Sequence, residues 1–545
     1  MRRILQAMAG VVLVCGCRNE IKNACGDGFG SAPVLIFNED NTHYFNRTGE
    51  YMTQEKIRAY IDDEIALGGV THFFMCPNGM RASFESKAFE PARTAPQDRR
   101  IDMQEAKRKA ETSVIWKNSL HRCSSFQLLY ERGIDIYAEW IGRCREKGVS
   151  PWLSMRMNDV HLVNDPDCLL HSRWWLEHPE FRRDPKADPA KSGWGVWAVN
   201  YAIPEVYRHQ LALVEELLER YDPDGIEADW MRFPYHLTPG RERELAPVLT
   251  SFMRDVRRLA DAAAKRRGHP VRVGARVAAT PELSLLIGCD VGAWAKDGLI
   301  DLLVVGNFGG CVDFNIPFAD WTRLVDRAKS PVRVIPSADD IGLVQGGCKR
   351  KMEVEDYRGW MEALSAEGAT GAYLFNFFSA KPLQPGSTHD QILRNGLCSA
   401  NALEGKRRYV ATYRDSAPRE APRELREYQV PATLDEPRTF RIKVGNPPAA
   451  GSVSVILAFR DTPLSEGTPV ALNGVAAVSR EIVPKSRYTG KGDVPRMMVR
   501  CEVPLSALKP GVNIVSVGPD RNPKTTVAAC ELEVELLKKI IVLIF

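Results

Sequence analysis

Asp222-Pro223-Asp224-Gly225-Ile226-Glu227-Ala228-Asp229-Trp230-Met231-Arg232-Phe233-Pro234 compresses a helix exit, a turn and a strand into one short stretch. The run before it, Val206 to Tyr221, has Leu211, Val214, Leu217 and Leu218 on one helical face. Pro-Asp-Gly turns the chain, and Gly225 to Asp229 reads as a buried strand. Alternation puts Glu227, Asp229 and Met231 on one face and Ile226 and Ala228 on the other. Two carboxylates on the inner face of a buried strand are costly unless they are paired or used. Pairing with Arg156, Arg232 or Arg276 is the plain structural alternative.

The same strand-then-helix unit recurs on both sides. Strands are expected at Val34 to Asn38, Val70 to Cys76, Pro151 to Met157, Val271 to Val277, Leu302 to Gly306, Val332 to Pro336 and Gly371 to Phe375. Helices are expected at Thr53 to Ala66, Phe126 to Lys147, Ala246 to Arg267, Trp321 to Ala328 and Tyr357 to Ala366. Eight such units predict an α/β chain folded as a (β/α)8 TIM barrel over 33–400. The rival is a doubly wound open sheet. Polar residues just after the strands favour the barrel: Glu39, Asn78, Asp159, Asp229, Arg276, Asn307, Asp339 and Asn376. In a barrel those ends converge on one mouth.

Two segments at that mouth are long. Gly79 to Ser125 is rich in Lys and Arg, which reads first as a solvated face. Val160 to Ile203 carries Trp174, Trp175, Trp194 and Trp197, which either stack on sugar rings or anchor the loop. Beyond a charged linker at 401–428, helical periodicity fades. Short runs such as Phe440 to Val444, Val453 to Phe459 and Met497 to Val503 predict an all-β sandwich-like domain over 429–545.

Composition removes other classes. Lys plus Arg exceeds Asp plus Glu by 73 − 69 = 4, too little for a chain whose main partner is nucleic acid. The thirteen cysteines form no zinc-like cluster, so neither a metal nor a cofactor is expected. Gly26-Asp27-Gly28-Phe29-Gly30 follows no strand and is not a nucleotide fingerprint. Met1-Arg2-Arg3 and the apolar run Ile4 to Val14 predict a signal peptide over 1–17, followed by a spacer over 18–32. Val14-Cys15-Gly16-Cys17 also resembles a bacterial lipobox, with Cys17 as the acylated residue and the sole membrane attachment. The expected location is periplasmic, outer-membrane-anchored as a lipoprotein, or secreted.

Asp224 to Trp230, followed by Arg232-Phe233-Pro234, resembles the fourth-strand motif of glycoside-hydrolase-type barrels. It is similar to a bacterial glycosyl-hydrolase-like group called family 10-like, whose strand Asp-Gly-(hydrophobic)-X-X-Asp ends in an aromatic-Pro. It also resembles the strand of family 18 chitinase-type enzymes. Glu227 and Asp229 match two acids of that pattern, but its proton-donating Glu falls on Met231. The resemblance spans about 33–400 and implies hydrolysis of a carbohydrate substrate.

That chemistry needs one carboxyl kept protonated and another ionised. Asp229 is expected as the ionised one, nucleophile or base, with Glu227 beside it. Residues of one strand cannot easily flank a bond, so the second acid comes from another strand end: Glu39, Asp40, Asp159, Asp339 or Asp340. Asp339 is taken as the proton donor. Substrate contacts are expected from Glu39, Asp40, Asn158, Asp159, Trp230, Arg232, Arg276, Asn307 and Asn376, the arginines serving to orient carboxylates or bind a uronate or sulfate group. A catalytically inactive, glycan-binding barrel is the alternative that Met231 motivates; a lyase or isomerase acting on sugars is a third.

Overall fold

The computed structural model describes residues 32–40, 43–93, 102–308, 312–339, 343–345, 348–378, 383–414, 427–460, 462, 464–483, 488 and 495–536. The signal, Cys17 and Asp340 lie outside them.

Eight parallel strands close into a barrel: β1 Val34–Glu39, β2 His72–Met75, β3 Ser150–Arg156, β4 Gly225–Asp229, β5 Arg272–Val277, β6 Leu302–Val305, β7 Arg333–Asp339 and β8 Gly371–Phe375. The strands are ringed in chain order, with β8 against β1. Alternation sorts their side chains as expected. Leu35, Phe37, Leu153, Ile226 and Ala228 join the large core under the helices. Val34, Ile36, Phe74, Trp152, Leu302, Val304, Ile335, Tyr373 and Phe375 fill the barrel itself. Phe74 and Trp152 stack there, centroids 4.7 Å apart and 9° from parallel.

Gly225 exists for that stack as well as for its turn. A Cβ there would lie 2.6 Å from the Trp152 ring. Gly225→Ala should therefore destabilise by about 1–3 kcal/mol through overpacking. Denaturant unfolding measures it; an unchanged midpoint would show that the Trp152 ring can yield.

The helix expected over Phe126 to Lys147 is instead two, Val114–Glu131 and Ile136–Lys147. Gly133 breaks the run at φ 65, and the Asp135 side chain caps the second helix. The basic segment after β2 is likewise partly helical, with Met103–Thr112 leading into Val114–Glu131.

Among the described residues a six-stranded and a four-stranded antiparallel sheet follow the barrel, with a two-stranded ladder of Tyr413–Arg414 against Glu427–Tyr428. Inside the stretch read as a linker, Arg407–Val410 already pairs with Thr526–Leu536 in the larger sheet. That edge packs directly on the helix Val354–Ser365: a Cβ on Gly359 would come within 2.1 Å of the Arg408 carbonyl oxygen. Buried ions reinforce the contact. Arg350 bonds Asp356 on the helix at 2.5 and 2.6 Å and reaches Glu531 of the sheet at 3.2 Å.

Candidate functional site

Strand register sets the mouth in layers. Arg156, Asp229 and Arg276 are direct partners across β3, β4 and β5. One layer deeper come Ser154, Glu227 and Gly274. On the far side, Phe375 and Asp339 pair across β8 and β7.

Asp229 is almost fully buried, at 2% exposure. Its Oδ1 accepts from Arg276 Nε at 2.8 Å and from the Met231 and Arg232 backbone N–H groups at 3.0 Å each. Among the described residues its Oδ2 accepts only from Arg276 Nη2, at 3.2 Å. The carboxylate thus fixes the turn after its own strand and keeps one oxygen lightly occupied. Arg276 in turn lies over the Phe375 ring, 3.9 Å from its centroid. Arg276 and Phe375 therefore link Asp229 to the wall that carries Asp339. There, Asp339 accepts from Asn376 Nδ2 at 3.2 Å, and Asn376 adopts a left-handed φ of 51, which Asn tolerates.

A closed chain of charges joins the ends of β1, β3 and β4. Asp40 meets Arg156 at 2.5 Å; Arg156 meets Asp159 at 3.0 Å; Asp159 meets His161 Nδ1 at 2.8 Å. His161 Nε2 faces Arg232 Nη2 at 3.5 Å, and Arg232 returns to Asp40 at 3.4 Å. Burial alone would raise the Asp159 carboxyl. His161 and Arg156 outweigh it and hold the group well below the usual carboxylate range.

Glu227 lies beneath, wholly buried. Its Oε2 accepts from Ser154 Oγ at 2.5 Å and Tyr373 Oη at 2.9 Å. Its Oε1 has no hydrogen-bond partner among the described residues. Burial first, and the Asp229 charge second, push its carboxyl up to about 8, so it holds a proton at neutral pH. The unfolded chain gives that proton up near 4.5. Stability should therefore fall as pH climbs from about 4.5 to about 8, by roughly 1.4 kcal/mol per pH unit within that window. Glu227→Gln has no proton to lose and should remove this slope. Chemical unfolding across pH 5 to about 8 compares the two; parallel profiles would contradict a protonated Glu227.

Several candidates sit elsewhere. Glu39 shares the outward face of Leu35 and Phe37 and is consumed by His43, the Tyr44 N–H and the Tyr60 hydroxyl. Trp230 is buried among Tyr201, His236, Phe252 and Trp294, away from the mouth. Asn158 staples the long loop through Val199 and the Tyr235 carbonyl. Asn307 follows β6 and is buried. Met231 packs in the outer core. Trp175 and Trp197 clamp Arg182, and Trp174 stacks on His209, so three of the loop tryptophans anchor it. Trp194 alone of the four is well exposed, at 37%, edge-on to Phe233 and Tyr235.

The residues not anticipated are His161, Tyr373 and Phe375, together with the role of Phe233. Tyr373 and Phe375 have the parity of inward residues on β8, the same rule that singled out Glu227 and Asp229. His161 was signalled by Asp159 two residues before it, an Asx turn. Phe233 was marked as the aromatic of the aromatic-Pro pair, but nothing in the sequence signalled its left-handed φ of 65 or its place beside Arg232.

No family model matches the chain, and no curated protein does. Solved structures align with it at low identity. An alpha-L-fucosidase isoenzyme from Paenibacillus thiaminolyticus matches at 15% identity and TM-score 0.40, over 67% of this chain and 49% of that one. A chitinase from Bacillus thuringiensis matches at 9% and 0.37, over 92% of this chain and 100% of that one. A GH36 alpha-galactosidase from Geobacillus stearothermophilus matches at 12% and 0.34, over 87% and 56%. The chain spans about half the length of the fucosidase and the galactosidase. These neighbours are glycoside hydrolases by name, and likeness at this level transfers no residue role to this chain.

Proposed function

We propose that the protein is an exported glycoside hydrolase that acts on a poly- or oligosaccharide at the barrel mouth. The observation that carries this reading is Asp229. Every bond it makes is one it accepts, and its Oδ2 retains a lone pair for an anomeric carbon or a water. Asp339, three strands further round the ring, supplies the proton to the leaving oxygen. Arg276 holds Asp229 in place. Glu227 acts as a positioning residue: neutral beneath Asp229, it adds no second charge to the site. Trp194 offers an exposed ring for a sugar face. Export rests on the Met1 to Cys17 segment.

One observation favours the second reading, a glycan-binding barrel without catalysis. Asp40, Asp159 and Asp229 are all neutralised by arginines. Sugar release from a panel of neutral, uronic and sulfated polysaccharides, by wild type and Asp229→Asn together, decides. Release by wild type alone supports the hydrolase. Binding to the same panel with no release by either protein supports the second reading.

A further inference from the structure

The three arginines of the mouth are not equally engaged. Arg276 spends two nitrogens on Asp229. Arg156 bridges Asp40 and Asp159 at 2.5 and 3.0 Å. Among the described residues Arg232 has only long polar contacts, Asp40 at 3.4 Å and His161 at 3.5 Å, and it shares Asp40 with an arginine that lies closer. Its Nε is buried with no hydrogen-bond partner among the described residues. A guanidinium has five donors, and buried donors left unmade are costly.

Yet Arg232 is held firmly. Its Cζ lies 5.4 Å from the Phe233 centroid and 5.5 Å from that of Phe375, so two aromatic rings support it. Phe233 itself takes a left-handed φ of 65, a strained conformation for a bulky side chain and one that clusters at ligand sites. Trp194 stands beside Phe233 at 5.3 Å. Burial and then the Arg156 charge lower the Arg232 guanidinium from its ordinary value, as expected of a cation short of counter-charge.

We propose that Arg232, braced by Phe233 and Phe375, is an anion-recognition residue, and that the glycan taken at this mouth carries a carboxylate or sulfate group. The group would complete the unmade donors of the Arg232 fork, while Trp194 meets the sugar face next to it. The sugar part rests on the glycosidase reading above; the anion part rests on Arg232 alone.

Calorimetric titration tests it with two matched pairs: trigalacturonate against its carboxyl-reduced form, and a kappa-carrageenan oligosaccharide, which carries sulfate but no carboxylate, against its desulfated form. Wild type should bind one charged member roughly 10- to 100-fold more tightly than its uncharged match, the value of hydrogen bonds to a charged group. The pair that discriminates tells carboxylate from sulfate. Arg232→Gln should bring the ratio near one, and Arg232→Lys should recover only part of it, having charge without the fork. No charge preference in wild type, absence of binding by both charged members, or a preference intact in Arg232→Gln overturns the proposal. Cleavage of sugars without charge preference would remove it and leave the hydrolase standing. Charge preference without any cleavage would do the reverse.

Discussion

Asp229→Asn stops sugar release, with kcat/KM lower by about 10³-fold, inside the range that a positioned acid or base contributes. The exchange keeps the shape of the side chain and removes its charge. It also costs stability. Arg276, 1% exposed, loses its carboxylate partner, and breaking a buried pair from one side costs about 3–5 kcal/mol. The two losses separate in the charge-balanced double variant Asp229→Asn/Arg276→Gln. It should regain much of the thermal stability and none of the activity. Turnover within tenfold of wild type in the folded single variant would remove Asp229 from the chemistry.

Asp356→Asn should be the most damaging change away from the mouth. Asp356 is fully buried and accepts two bonds from Arg350, one from Arg408 at 3.1 Å and one from the Glu353 N–H at 2.8 Å. Burial works against its charge, but Arg350 more than compensates, and its carboxyl sits below the ordinary range. Removing that charge strands two arginines between barrel and sheet, with Glu353, Glu531 and Glu533 left as their remaining acids. The expected loss is about 3–5 kcal/mol, with new proteolytic cleavage near Arg407–Val410. Asp320→Asn, whose partner Arg323 is exposed like itself, should leave the unfolding midpoint where it was. Equal midpoints for all three proteins would mean that the buried ions do not hold the two domains together.

The barrel could be read from the sequence because its strands are bounded by turn residues and alternate cleanly. β4 and β8 fall where Gly225–Asp229 and Gly371–Phe375 predict them. Parity also served the site: Glu227, Asp229 and Arg276 all point inward. Applied to β1, the same parity would have turned Glu39 outward with Leu35 and Phe37. Beyond a strand end parity lapses, so Asn158 and Trp230 could not be aimed from sequence. Nor could the pairing of Arg156 with Asp40, which joins residues far apart in the chain at the ends of β1 and β3, the two strands that flank β2.

The stacked rings of Phe74 and Trp152 make the barrel a vessel with one opening. Whatever enters at the mouth must leave by the same rim, and nothing threads through. Glu227 sits between that floor and the layer of Arg156, Asp229 and Arg276. An occupant of the mouth would thus rest above a charge-neutral floor, with the apolar filling of the barrel beneath it.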